Sequence, residues 1–219
     1  FETYSYLKII EEYSYDNNTP YACINLRQNN FTNGTVRITK PGIYILKDNI
    51  SFEPNPGNDF MPTGPQIASG QYPVGTQGAY HLGFFAAITI ETTGVILDLN
   101  GKTIKQTTLH SLQQRFYANI EMASAPFIPA LGPATFSTPS NFKAGEKVLI
   151  KNGVLGSSSH HGIHGNAMKD IILQNLSIKD FEVAGIALNG AINSILYSIT
   201  IKNTCNNCRV LSTYSQSRF

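Results

Sequence analysis

Val148-Leu149-Ile150-Lys151-Asn152-Gly153-Val154-Leu155-Gly156, running on through His161-Gly162-Ile163-His164-Gly165-Asn166, is followed by a second stretch of the same design. That stretch is Ile171-Ile172-Leu173-Gln174-Asn175-Leu176-Ser177-Ile178-Lys179, running on through Ala184-Gly185-Ile186-Ala187-Leu188-Asn189. A shift of 23 residues lays Asn152 on Asn175, Leu155 on Ile178, Gly162 on Gly185, Ile163 on Ile186 and Asn166 on Asn189. A third row opens at Ile195, with Ser198, Ile199 and Ile201 where the earlier rows carry Asn175, Leu176 and Ile178.

A period of this size marks a unit that cannot bury its apolar face until a neighbour stacks on it. A leucine-rich repeat would need a Leu-x-x-Leu-x-Leu frame and helical segments. These rows instead alternate Ile and Val with polar residues over short runs broken by Asn, Gly and Ser, which reads as strand, turn, strand, turn. The fold class expected is all-β, a right-handed parallel β-helix with Ile and Val stacked inside. Asn152 and Asn175 fall at one turn. Either their amides satisfy each other from row to row, or each simply tolerates a left-handed backbone there.

Upstream, Thr35 to Phe52 carries two strands around the turn Lys40-Pro41-Gly42, and Ala86 to Ile104 carries two more around Thr92-Thr93-Gly94. Two long insertions separate these segments, 53–83 and 106–146. The second begins with Leu112, Phe116 and Ile120 four apart, the spacing of a short helix. Their aromatics, among them Phe60, Tyr72, Tyr80, Phe116, Tyr117, Phe127 and Phe136, have three uses open to them: stacking on sugar rings, burial against a partner subunit, or packing on one another. Phe116, Tyr117 and Tyr80 are the candidate ligand or partner contacts. Phe1, Tyr4, Leu7, Ile10 and Tyr13, three apart, suggest a helical N-terminal segment that caps the first row or meets another subunit. The domain plan is an N-terminal cap or arm over 1–34 and a β-helix over 35–219, expected to be incomplete at its C-terminal end.

Ile38-Thr39-Lys40-Pro41-Gly42-Ile43-Tyr44, Ala87-Ile88-Thr89-Ile90, Val95-Ile96-Leu97-Asp98-Leu99-Asn100-Gly101-Lys102-Thr103-Ile104 and Ile150-Lys151-Asn152-Gly153-Val154 resemble the opening coils of the pectin-lyase-like superfamily. The resemblance implies the right-handed parallel β-helix and leaves activity open. That superfamily holds polysaccharide lyases and hydrolases, tail-spike depolymerases, adhesins, and many proteins of bacteria and large DNA viruses without assigned chemistry. Its polygalacturonase-like members carry Asn-Thr-Asp, Asp-Asp, Gly-His-Gly and Arg-Ile-Lys; this chain offers only His161-Gly162 as a partial echo. Its pectate-lyase-like members need calcium-binding carboxylates and an arginine base. From Val148 to Thr204 the acids are Asp170, Asp180 and Glu182, and the next arginine is Arg209.

The cluster with reactive side chains is Ser157-Ser158-Ser159-His160-His161-Gly162-Ile163-His164. If Ile163 points inward, alternation turns His164 outward beside Ala187. His160 then lies near Asp180, and Ser159 near Glu182. His164 with Asp180 or Glu182 is the candidate acid-base pair. His160, His161 and His164 are the candidate metal ligands. The plainer alternative is an ordinary solvent-facing turn, and no cofactor is expected.

Composition narrows the rest. Charged residues make up 14% of the 219, against roughly 25% in average soluble domains, and the net charge of +2 offers no basic stripe for nucleic acid. The apolar content of 42% supports a sizeable core. No apolar run approaches the ~20 residues of a membrane span. Cys23, Cys205 and Cys208 cannot all pair within one chain; Cys205 and Cys208 suit a loop disulfide or two free thiols better than half a zinc site. Five Asn-x-Ser/Thr sequons, at Asn17, Asn30, Asn33, Asn49 and Asn175, are too easily produced by this composition to locate the protein. The expected function is a non-catalytic structural or attachment domain of a virus particle or cell-surface assembly, extracellular, with other protein subunits as partners. The rival is a polysaccharide lyase or hydrolase, or a glycan-binding module that uses the same groove.

Overall fold

The computed structural model describes residues 21–74, 78–113, 116–132 and 141–203. The apolar stripe from Phe1 to Tyr13, together with Phe136, Cys205 and Cys208, lies outside them. In chain order the strands are β1 (Cys23–Leu26), β2 (Val36–Ile38), β3 (Gly42–Leu46), β4 (Ile50–Phe52), β5 (Ala86–Ile90), β6 (Thr93–Asp98), β7 (Thr103–Gln106), β8 (Ala118–Glu121), β9 (Glu146–Gly156), β10 (His161–Asn166), β11 (Lys169–Lys179), β12 (Ala184–Asn189) and β13 (Ile192–Lys202). They form two parallel sheets. The five-stranded sheet runs β2-β5-β8-β10-β12, and the eight-stranded sheet has the spine β1-β3-β6-β9-β11-β13, with β4 and β7 beside it. From β8 to β13 the chain changes sheet at every strand.

The register follows the 23-residue shift: Leu155 pairs with Ile178, Ile163 with Ile186, Asn166 with Asn189, and Ile178 with Ile201. Apolar residues therefore stack in columns. Val36, Ile88, Ile120, Ile163 and Ile186 form one in the five-stranded sheet. Tyr44, Leu97, Ile150, Leu173 and Leu196 form another in the eight-stranded sheet, and Ile50, Ile104, Leu155, Ile178 and Ile201 a third. One contiguous apolar cluster takes side chains from both sheets, so the core lies between them. β-branched residues suit such columns because their stiff side chains pack on a pleated surface.

The long strands β9, β11 and β13 are bent at repeated positions. Asn152, Asn175 and Ser198 take φ of 59°, 51° and 54°, and Lys147, Asp170 and Asn193 take 49°, 55° and 54°. A left-handed residue costs about 1–2 kcal/mol for most side chains and less for Asn or Asp, which accounts for the amides and acid at these corners. Asn175 Nδ2 also donates to Asn152 Oδ1 at 3.0 Å. Glycine is demanded elsewhere by close approach: a Cβ on Gly162 would sit 2.5 Å from Ile178 Cγ2, and one on Gly185 2.7 Å from Ile201 Cγ2.

Three features differ from the sequence expectation. The eight-stranded sheet already begins with β1, inside the stretch assigned to the N-terminal arm, because Cys23–Leu26 finds its backbone partners on β3. Within 106–146, helix ends at Gln113, and Ile120 is a wholly buried strand residue. Its spacing from Leu112 and Phe116 mimics a helical stripe, but β8 fills the place between β5 and β10, where ladder hydrogen bonds hold it. The excursion proper leaves after β8 and returns through the bridge Ala123↔Ala144. Tyr80 and Tyr117, expected at a ligand or partner surface, are 1% and 2% exposed inside their own chain. Tyr72, Tyr80, Phe84 and Phe85 pack ring against ring at 4.8–6.1 Å, and Tyr117 stacks on Phe52 at 5.8 Å. Self-packing of the excursions won for these rings because each reaches several others at once. Phe60 follows them into the interior, against His110.

Candidate functional site

Alternation along the five-stranded sheet turns Ile88, Ile120 and Ile163 into the core and their successors Thr89, Glu121 and His164 to the other face. The register lines these up as a polar column, Arg37, Thr89, Glu121, His164 and Ala187. The middle of the column is buried, with Arg37 and Ala187 at its ends partly exposed. Thr89 and Glu121 are almost inaccessible and His164 is only 9% exposed, because the two excursions lie over this face. Asn166 Nδ2 donates to Pro126 O at 2.9 Å and ties the second excursion down.

Burial of charge requires partners, and the column supplies them in two groups. In the first, Arg37 Nε and Nη2 donate to Glu91 Oε1 and Oε2 at 2.8 and 2.7 Å, and Thr89 Oγ1 donates to the same Oε1 at 2.6 Å. Both oxygens of Glu91 are thus bonded. In the second, His164 Nδ1 meets Glu121 Oε2 at 2.6 Å, while Glu121 Oε1, equally buried, has no hydrogen-bond partner.

The imidazoles differ sharply. Burial works against charge on His164, but the charge and hydrogen bond of Glu121 outweigh it and raise its pKa above the ordinary value. Burial likewise raises the Glu121 carboxyl, with His164 opposing. His161 stacks on His164 at 4.8 Å, nearly parallel, and is driven down to about 3 by burial, then by His160 and His164, so it stays neutral. His160 Nδ1 and His161 Nδ1 lie 2.8 Å apart, which makes one ring the donor and the other the acceptor. Asn189 Nδ2 sits 3.3 Å from His164 Nε2, a contact that suits a neutral ring and works against the effect of Glu121.

These groups border a cavity of about 180 Å³ walled by Phe85, Phe116, Tyr117 and Phe127. Phe116 is half-buried, 5.1 Å from Phe127 and 5.2 Å from His160. A second, open concavity of about 480 Å³ runs along the corner of β9, β11 and β13, lined by Asn152, Gly153, Asn175, Ser177, Ser198 and Thr200.

His164 stands beside Ala187 as the alternation implied. The carboxylate bonded to it is nevertheless Glu121, not Asp180 or Glu182. The latter two flank the turn after β11, where Asp180 O accepts from Ser158 N and Glu182 N donates to Ser158 O. Glu121 was hidden by the reading of 106–146 as one insertion. The signal for it was present, since Ile120-Glu121 repeats the pattern of Ile88-Thr89 and Ile163-His164. His160 meets His161 edge-on and His161 stacks on His164, and among the described residues no three His, Cys, Asp or Glu side chains form a group able to hold a metal. Cys23 is a free, exposed thiol. Among the described residues no helix is long and apolar enough to cross a membrane. The chain matches no known family model, no curated protein and no solved structure.

Proposed function

We propose that the two sheets are faces of a right-handed parallel β-helix of the kind found in the pectin-lyase-like superfamily, and that the domain serves a non-catalytic structural or attachment role in an extracellular, cell-surface or virus-particle assembly. One observation carries this reading. Among the described residues the interior columns run in register to β13, where Leu196 is 49%, Ile201 49% and neighbouring Tyr197 53% exposed. An apolar strand face of this kind favours a further β-layer, and the partner this reading takes is a strand of a neighbouring protein subunit laid parallel to β13. The test is the oligomeric state by light scattering of the full chain and of a Leu196→Lys, Ile201→Lys variant. The wild type is expected to associate and the variant to be monomeric. A wild type that stays monomeric at high concentration defeats the assembly reading.

The uncharged concavity with Asn152, Asn175, Ser177, Ser198 and Thr200 favours a second reading, a glycan-binding module that does not cleave. Amides and hydroxyls there suit the hydroxyls of a polysaccharide, which a glycan-array screen would detect. A lyase or hydrolase has less behind it. Glycoside hydrolysis uses two carboxyl groups about 5–9 Å apart, whereas among the described residues the smaller cavity is bordered by one, Glu121, already bonded to His164.

A further inference from the structure

β7, β11 and β13 carry one pattern: Thr103-Ile104-Lys105, Ser177-Ile178-Lys179 and Thr200-Ile201-Lys202. The isoleucines belong to an interior column, which dictates nothing about the residues on either side of them. Alternation turns those outward. The register lays Thr103, Val154, Ser177 and Thr200 in one outer column and Lys105, Gly156, Lys179 and Lys202 in the next. Adjoining rows are about 4.8 Å apart, so Lys179 and Lys202 are direct neighbours, an arrangement of like charges that disfavours a sheet. All three lysines are exposed. Among the described residues no ion pair reaches them, and no hydrogen bond uses the hydroxyls of Thr103, Ser177 or Thr200. A Cβ on Gly156 would lie 3.7 Å from Lys179 Cε and 3.8 Å from Lys105 Cβ, so the Lys179 stem reaches across the glycine toward Lys105.

We propose that these two columns bind a linear glycan carrying sulfate esters, laid along the stack across the rows. The proposal rests on the glycan-binding reading of the open concavity and names the class of glycan. Val154, Ser177 and Thr200 line that concavity, and the lysines stand two residues further along the same strands. The repetition selects a polymer: a hydroxyl and an ammonium recur over four rows, about 14 Å of stack, which a small anion would meet at one point only. The donors select the anion. Each lysine is a compact single charge with three N–H donors. A sulfate monoester matches it with one charge and three free oxygens, enough to accept from lysines of two rows and a hydroxyl between them. A carboxylate has two oxygens in one plane, and a phosphate monoester brings up to about two charges for each lysine. Asp180 and Glu182, at the turn beyond Lys179, set the far limit of the site.

The probe is dextran sulfate, compared with unmodified dextran, polygalacturonate and double-stranded DNA by isothermal titration calorimetry on the full chain. Dextran sulfate is expected to bind about tenfold more tightly than any of the other three. The triple variant Lys105→Gln, Lys179→Gln, Lys202→Gln should bring it down to the level of dextran. A second triple variant, Lys40→Gln, Lys143→Gln, Lys169→Gln, removes the same charge from exposed positions elsewhere and should stay within about twofold of the wild type. All six side chains are exposed, so both variants should keep the wild-type midpoint in urea. Dextran bound as tightly as dextran sulfate would leave the glycan reading standing and overturn the sulfate site; binding of neither would overturn both. Equal loss in the two triple variants, or polygalacturonate or DNA bound as tightly as dextran sulfate, would show only a general attraction of polyanions to a cationic chain and also overturns the proposal.

Discussion

The outer faces of the two sheets are built from opposite materials. On the eight-stranded sheet the outward column is apolar, Ile43, Ile96, Leu149, Ile172 and Ile195, and forms a small second cluster with Tyr21, whose hydroxyl donates to Gly94 O at 2.6 Å. On the five-stranded sheet it is Arg37, Thr89, Glu121 and His164, and this polar column is the one that two excursions bury. The middle of the apolar column is covered too, Ile96 and Leu149 being 0% and 1% exposed, so the two faces differ in material rather than in burial. Burying apolar side chains is favourable in itself, whereas each buried polar group on the other face needs a partner.

The largest effect expected from this contrast is at the ion pair. Glu121→Ala leaves His164 buried without its counter-charge and should cost about 3–5 kcal/mol in urea unfolding. Replacing both members by leucine should cost far less, or stabilise the chain. A double variant as unstable as the single would mean that the pair is a structural element. On the opposite face Leu149→Ala should cost about 3 kcal/mol, as for a buried leucine, and leave the His161 and His164 imidazole NMR signals unmoved.

Stability against pH divides the same regions. His110, wholly buried among Phe52, Phe60 and Tyr117, is driven down to about 3 by burial. A histidine whose folded pKa is depressed binds fewer protons than in the unfolded chain, so its contribution is complete above pH 6.5 and falls as pH drops toward 3. At pH 5 the loss is about 2 kcal/mol, and His161 adds to it in the same direction. His164 has the opposite sign. Its raised pKa makes its contribution complete below 6.5 and lost as pH climbs through the folded value. Denaturation midpoints from pH 4 to 9 should therefore pass through a maximum near neutrality. His110→Leu should flatten the acid limb and leave the alkaline limb in place; an unchanged acid limb would show that His110 does not govern it.

Much of the stacked region could be read from the chain because its information is local and repeated. Ile163, Ile186, Asn152 and Asn175 each announce the same position in successive rows, and their register is the 23-residue shift itself. The covered face was less legible. β8 has four residues, its row spacing departs from 23 because of the excursions around it, and one residue of that strand, Glu121, decides the chemistry of His164. Likewise nothing in the order of residues tells whether Tyr80 and Tyr117 face a partner or Phe84, Phe85 and Phe52; that depends on where the excursions fold back.

The smallest expected effect concerns the corner where the two explanations for asparagine meet. Asn175 is exposed, takes φ of 51°, and donates to Asn152. If the side-chain bond is what holds the corner, Asn175→Gly and Asn175→Ala should lose it equally and differ little. If backbone conformation dominates, glycine removes the strain and alanine keeps it. An exposed amide bond exchanges with water and contributes at most about 0.5–1.5 kcal/mol, whereas a left-handed alanine costs about 1–2 kcal/mol. The second term is the larger, so Asn175→Gly should cost under about 1 kcal/mol, tempered by the entropy of a freer unfolded chain, and Asn175→Ala about 1 kcal/mol more. Equal midpoints for the two variants in urea would assign the corner to the amide ladder instead. The asparagines would then be acting across rows, which is how a repeat this low in charge would keep its layers in register.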